Sequence, residues 1–214
     1  MDCNVLKPLA LGLALGLSVS ATQAATLTFD DPAAPNNYDP FPQTMGDILG
    51  LDVGSTSREG FGNAALATSG GALLHWNDNY SELSDIGFAS GNGRVAELSF
   101  TPASGMQVTL TSFAFGNYFN GGTARDAEFR LYDAGWNLVW SQIVTGHTGN
   151  SVTVAINKTL TGGAYFQWGT DWDIGVDNLV YDVSPIVGAV PLPPGLPLLA
   201  GALLGLGLMR RRRG

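Results

Sequence analysis

Arg94 to Phe115 reads RVAELSFTPASGMQVTLTSFAF, and both halves of this stretch bear on the fold. In the first half Ala96, Leu98 and Phe100 alternate with Glu97, Ser99 and Thr101, the two-residue period of a strand with one buried face. A Pro-Ala-Ser-Gly break follows, and a second strand is expected over Gln107 to Phe115. There the apolar phase slips between Leu110 and Phe113, which predicts a bulge or a bend where the chain crosses between sheets.

The same pattern recurs on both sides of this stretch. Strands are predicted over Thr26 to Phe29, Ala72 to Trp76, Ala127 to Tyr132, Leu138 to Val144, Ser151 to Ile156, Ala164 to Trp168 and Ile174 to Val183. Phe129 and Leu131 share one face, and Val152, Val154 and Ile156 share another. No segment of this region shows sustained helical periodicity with caps. Roughly nine short strands separated by Gly, Asn, Asp and Ser predict an all-β fold, an antiparallel jelly-roll β-sandwich over residues 25–185. Pro32 to Gly71 has weak periodicity and many turn formers, so it is expected to wrap the sandwich as loops, with a short helix near Thr44 to Leu49.

A chain of 214 residues, 45% apolar, is long enough for one such domain plus terminal extras. Between Ala25 and Pro185 five basic residues face seventeen acidic ones, a formal charge of −12 against −8 for the whole chain. That balance argues against nucleic acid and anionic membrane surfaces as partners of the domain. Cys3 is the only cysteine, so residues 25–185 contain no disulfide and depend on core packing or a bound metal.

The two ends have a different character. Pro8 to Val19 reads PLALGLALGLSV, follows Lys7 and leads into Ala21-Thr22-Gln23-Ala24, the layout of a secretory signal peptide over residues 1–24 with cleavage expected after Ala24. From Val190 the chain reads VPLPPGLPLLAGALLGLGLMRRRRG. Residues 186–214 therefore hold a linker, a proline motif, a helix expected from about Pro194 to Met209 and a basic end. Sixteen residues rise about 24 Å, a short transmembrane helix. Arg210, Arg211, Arg212 and Arg213 would halt translocation and stay on the cytoplasmic side of the inner membrane, leaving the acidic domain outside.

Val190, Pro191, Leu192, Pro193 and Pro194, followed by Gly195-Leu196-Pro197, an apolar helix and the arginine cluster, resemble the VPLPA-CTERM sorting signal, a variant of the PEP-CTERM system. Pro194 stands where that family usually has Ala. The resemblance implies an exported protein of a Gram-negative bacterium, recognised by an exosortase-like membrane peptidase and destined for the cell surface or an extracellular matrix associated with exopolysaccharide. Thr28-Phe29-Asp30-Asp31 and Asp173-Ile174-Gly175-Val176-Asp177-Asn178-Leu179 are similar to the opening and closing strands of galactose-binding-like jelly rolls. This second resemblance implies that the first and last strands lie close together.

If they do, Asp30 or Asp31 with Asp173, Asp177 or Asn178 would offer the hard oxygen ligands that Ca²⁺ takes. The alternative is that Asp177 and Asn178 satisfy backbone groups in a turn or bulge. The clusters Trp76-Asn77-Asp78-Asn79-Tyr80 and Gly116-Asn117-Tyr118-Phe119-Asn120, together with Trp172, mix rings with polar side chains in expected loops. Apolar sugar faces stack on such rings while Asn and Asp bond hydroxyls, which makes Trp76, Tyr80, Tyr118, Phe119 and Trp172 the candidate ligand-binding set. Trp140 and Trp168 fit strand faces and are assigned to the core.

Catalysis has little sequence support. There is no Gly-x-Ser-x-Gly elbow and no His-Glu-x-x-His pair, His75 and His147 are isolated, and Glu82, Glu97 and Glu128 share no telling spacing. Arg125-Asp126, after the Gly121-Gly122-Thr123-Ala124 loop, can be read as an interaction site, but a loop-bracing ion pair is the expectation. Three tasks remain open for the domain: carbohydrate binding, a purely structural matrix role, and glycan turnover.

Overall fold

The computed structural model describes residues 23–62, 71–118, 123–169 and 171–186. It contains eleven strands: β1 (Gln23–Leu27), β2 (Leu51–Arg58), β3 (Leu74–Trp76), β4 (Ile86–Phe88), β5 (Val95–Pro102), β6 (Met106–Asn117), β7 (Arg125–Asp133), β8 (Leu138–His147), β9 (Val152–Thr161), β10 (Ala164–Trp168) and β11 (Ile174–Pro185). No helix occurs among the described residues. The signal peptide up to Thr22, Phe119, the sorting motif and the arginine cluster lie outside them. Gln23 and Ala24, read above as the end of the leader, pair with Val183 and Asp182 as the first two rungs of β1.

All strand pairs are antiparallel. One sheet has the order β3-β4-β11-β6-β9, with β1 also on β11, and the other has the order β2-β5-β10-β7-β8. From β4 to β11 the chain thus winds as 4-11-6-9 over 5-10-7-8, the two interlocked Greek keys of a jelly roll. β1, β2 and β3 extend this frame. First and last strands are neighbours, with Leu27 opposite Leu179.

Alternation drives the core. Ala96, Leu98 and Phe100 of β5, Phe129 and Leu131 of β7, and Phe166 and Trp168 of β10 are all buried against Val108, Leu110, Phe113 and Phe115 of β6. Phe113 meets Phe129 at 4.7 Å and Phe166 at 4.9 Å between ring centroids. Trp168 donates its indole N–H to the Gly87 carbonyl at 3.2 Å, satisfying the one polar group it brings inside. Trp140 packs against the same core from β8. The expected phase slip is a real bulge: β6 and β9 change register between Leu110 and Ser112, which lets Leu110 and Phe113 both face inward.

The segment from Pro32 to Gly71 departs from expectation. It contains strand β2, and where a helix was expected near Thr44 to Leu49 it makes successive turns closed by Met45 N to Pro42 O and Asp47 N to Thr44 O. Gly46 at φ +90° and Gly50 at φ +86° hold left-handed geometry that a helix cannot include. β2 escaped notice because its inward residues run Leu51, Val53, Ser55 and Ser57, so the apolar signal stops half way.

Candidate functional site

Gly116 of β6 and Gly175 of β11 sit opposite each other, and Tyr80 packs onto this bare patch of sheet. A Cβ on Gly116 would lie 2.4 Å from the Tyr80 carbonyl oxygen, and one on Gly175 would lie 2.7 Å from the Tyr80 ring. Tyr80 is therefore 1% exposed although it lies in the loop between β3 and β4. Its hydroxyl donates to the Trp172 carbonyl, which fixes the segment entering β11. Burial, reinforced by the nearby Asp173 carboxylate, pushes the Tyr80 hydroxyl pKa up, so it stays a donor.

Other rings assemble on Tyr80. Tyr118 meets it at 5.3 Å and meets Trp172 at 5.1 Å and Trp76 at 5.8 Å. Trp76 in turn meets Tyr38 at 4.9 Å, edge to face. Trp76 is oriented by donating its indole N–H to Asp78 at 2.9 Å. Tyr38 takes φ +69°, which for an L residue costs about 1 kcal/mol, and it is 63% exposed. Between Tyr38, Leu74, Trp76, Phe88 and Trp172 remains an open cavity of about 190 Å³. Four of the five candidate ligand-binding residues thus belong to one cluster: Trp76 and Trp172 line the cavity, while Tyr80 and Tyr118 support it from behind.

A second pocket, of about 360 Å³, lies beyond Trp172 and is lined by Arg125, Asp126, Asp171 and Asp173. Arg125 does form an ion pair, but its acid is Asp173, at 2.6 Å, rather than its neighbour Asp126. Both residues line this pocket, and Asp126 instead accepts a bond from Gly146 N at 2.7 Å. Burial raises the Asp173 pKa, with Arg125 opposing the shift and Asp171 adding to it.

The residues named for calcium are divided. Asp173 belongs to the pocket just described. Asp177 lies further along β11 in a second bulge, where Asn178 adopts φ +52° and donates both N–H and Nδ2–H to the Asp177 carboxylate, at 2.6 and 2.8 Å. Burial pushes the Asp177 pKa up to about 7, and the Asp85 and Asp30 charges add to the shift. Asp31 closes its own turn by accepting from Ala33 N at 2.7 Å. Among the described residues no three His, Cys, Asp or Glu side chains converge on one point.

Both histidines are buried in the framework. His75 sits between the Asn36 carbonyl and Asp85, while His147 packs on the Phe115 ring at 4.9 Å. Glu97 is held by Arg58 and by Gln167 Nε2 at 2.6 Å. Sequence reasoning overlooked Tyr38 and Phe88. Tyr38 lies in the segment read as featureless wrapping, and Phe88 lies in a strand of three residues, too short to show a period.

Fold and site together define a jelly-roll protein with an aromatic surface cavity at one end of its sandwich. No family model and no curated protein matches the chain. Among solved structures it is similar to a fucose-binding module of Streptococcus pneumoniae, at 13% identity and a TM-score of 0.29 over 44% of this chain and 70% of that one. It is also similar to an arabinose-bound α-L-arabinofuranosidase, at 10% identity and a TM-score of 0.38 over 73% of this chain and 25% of that one. A β-(1,4)-mannanase from Podospora anserina with a carbohydrate-binding module is similar at 11% identity and a TM-score of 0.32, over 74% of this chain and 29% of that one. The chain thus spans about a quarter of the length of the two enzymes. At these scores the likenesses assign it to no family.

Proposed function

We propose that the chain is an exported cell-surface or extracellular-matrix protein whose sandwich binds carbohydrate at the cavity between Tyr38, Trp76, Phe88 and Trp172. The observation that supports this reading is the assembly of loop aromatics into one open cavity whose rings are held from behind by a buried tyrosine. At about 190 Å³ the cavity is smaller than the roughly 300–1,000 Å³ typical of drug-sized ligands, and it suits a single pyranose ring or a chain end. Rings give the apolar face of a sugar a flat partner, and Ser90 and Gly91 at the rim add polar groups for hydroxyls.

The termini supply the rest of the reading. The leader carries the chain through the inner membrane, the apolar tail with Arg210 to Arg213 holds it there, and an exosortase-like peptidase releases it toward exopolysaccharide. Binding rather than turnover is the domain's task in this account.

Affinity electrophoresis through gels containing the exopolysaccharide of a host that makes this protein tests the central claim. Wild-type protein is expected to be retarded, and Trp172→Ala to run freely while keeping its fold by circular dichroism. Equal mobility of both in every polysaccharide gel would remove the glycan reading. Mass spectrometry of protein shed by the host tests the sorting claim, which requires a product that lacks Arg210 to Arg213.

A further inference from the structure

The pocket beyond Trp172 has chemistry unlike the aromatic cavity beside it. Each of its three carboxylates has committed one oxygen to the protein. Asp126 Oδ1 takes Gly146 N at 2.7 Å, Asp171 Oδ1 takes Trp172 N at 2.7 Å, and Asp173 Oδ2 takes Arg125 Nη1 at 2.6 Å. Asp173 is 94% buried by its 6% exposure, yet its Oδ1 has no hydrogen-bond partner. A buried acceptor left this way is destabilising unless something supplies a donor. Arg125 Nε is likewise buried without an acceptor.

What would complete the pocket must therefore donate, and charge narrows the choice. The single guanidinium is already engaged with Asp173, so Asp126 and Asp171 leave two negative charges uncompensated, within a domain that carries −12. A neutral hydroxyl satisfies one oxygen but leaves that excess, whereas an ammonium satisfies both needs. A bare metal ion is a poor fit, because the acids are spread around about 360 Å³ and no three of the described ones converge. The lining offers free carboxylate oxygens to an ammonium and to neighbouring hydroxyls alike. Trp172 joins the two sites: it lines the aromatic cavity, and its neighbours Asp171 and Asp173 line the pocket.

We propose that the pocket formed by Arg125, Asp126, Asp171 and Asp173 is a subsite for an amino sugar bearing a free ammonium, so that the glycan bound here is an unacetylated or partly unacetylated aminosugar chain. The proposal rests on the glycan reading of the aromatic cavity and specifies its ligand. The rings take the apolar face of one residue, and the carboxylates take the cationic substituent of the next.

Calorimetric titration of the full-length protein in mildly acidic buffer tests this, with the β-1,4-linked glucosamine tetramer and its fully N-acetylated counterpart as probes. The unacetylated tetramer is expected to bind about tenfold more tightly at low salt, with the advantage shrinking toward about 0.5 M salt as the charges are screened. Asp126→Asn and Asp171→Asn keep the oxygens that accept from Gly146 and Trp172, and each is expected to erase most of that advantage without weakening the acetylated probe. Equal affinity for the two tetramers, or a preference for the acetylated one, would overturn the amino-sugar subsite and leave the glycan reading standing. So would binding of neutral hexose oligomers alone. Failure of every glycan tried would remove both. A melting temperature raised by Ca²⁺ in wild type but not in Asp171→Asn would reassign the pocket to a metal and likewise overturn the proposal.

Discussion

Two groups of aromatic side chains reach the surface of this sandwich, and their ring faces are used differently. On the sheet that contains β5, β7 and β10, Trp136 stacks on Tyr165 at 4.0 Å with 13° between the planes, and the Arg58 guanidinium lies 5.1 Å from its ring centroid. Arg58 is itself engaged by Glu97, which Gln167 also holds, while Gln167 pairs with both backbone groups of Gly62 at 2.8 and 3.2 Å. That group pins the segment after β2 onto the sheet. At the β3–β4 edge, Trp76, Tyr38, Tyr118 and Trp172 meet edge to face and border a cavity. Abundance of aromatics does not separate a clamp from a binding surface; whether their faces are already occupied does.

Removing the foundation of the open group should have the largest effect. Tyr80→Ala deletes a fully buried ring between Gly116 and Gly175 and is expected to cost about 3–5 kcal/mol in denaturant unfolding, with glycan binding lost as well. Trp136→Ala should cost about 2 kcal/mol, from one stacked pair, one cation–π contact and partial burial, and leave glycan affinity unchanged. A large loss of binding in that variant would erase the contrast between the groups. Trp76→Ala should show the reverse, with stability down by about 1 kcal/mol and affinity down at least about tenfold.

A pH dependence of stability is also expected on the open side. Asp177 is adjacent to Val176, which pairs with Gly87 of β4, and its pKa rises from 3.8 to about 7 on folding. The native state thus retains a proton that the unfolded chain gives up between those values, so this contribution is full below pH 3.8 and is lost as pH rises through about 7. Melting curves across that range should show Asp177→Asn losing less stability with rising pH than wild type does. Parallel slopes for the two proteins would show that Asp177 is not the titrating group.

How much of this could be read from residues alone varied with local physics. Ala96, Leu98 and Phe100 or Val152, Val154 and Ile156 announce strands because alternation is a backbone property that needs no knowledge of the partner. The slip between Leu110 and Phe113 announced the bulge for the same reason. β2 was hidden because Ser55 and Ser57 occupy inward positions, their hydroxyls bonded to Gln43 and to the Val95 carbonyl by residues far along the chain. Mixed aromatic and amide loops marked Trp76, Tyr80, Tyr118 and Trp172, but no local signal could show that two glycines on different strands form the seat for Tyr80. Arg125 was noticed, and its partner was misjudged, because Asp173 is remote in sequence and meets it only where the starts of β7 and β11, strands of different sheets, come together.

The long central strand β11 separates the two ends of the domain. It starts at Ile174, beside both cavities, and ends at Pro185, twelve residues and roughly 35 Å away at the usual strand rise. Gln23 begins β1 opposite Val183, so the entering and departing chain share the far pole. A leash drawn from either terminus would therefore pull on the pole opposite Trp172, leaving the aromatic cavity at the end of the sandwich farthest from the attachment.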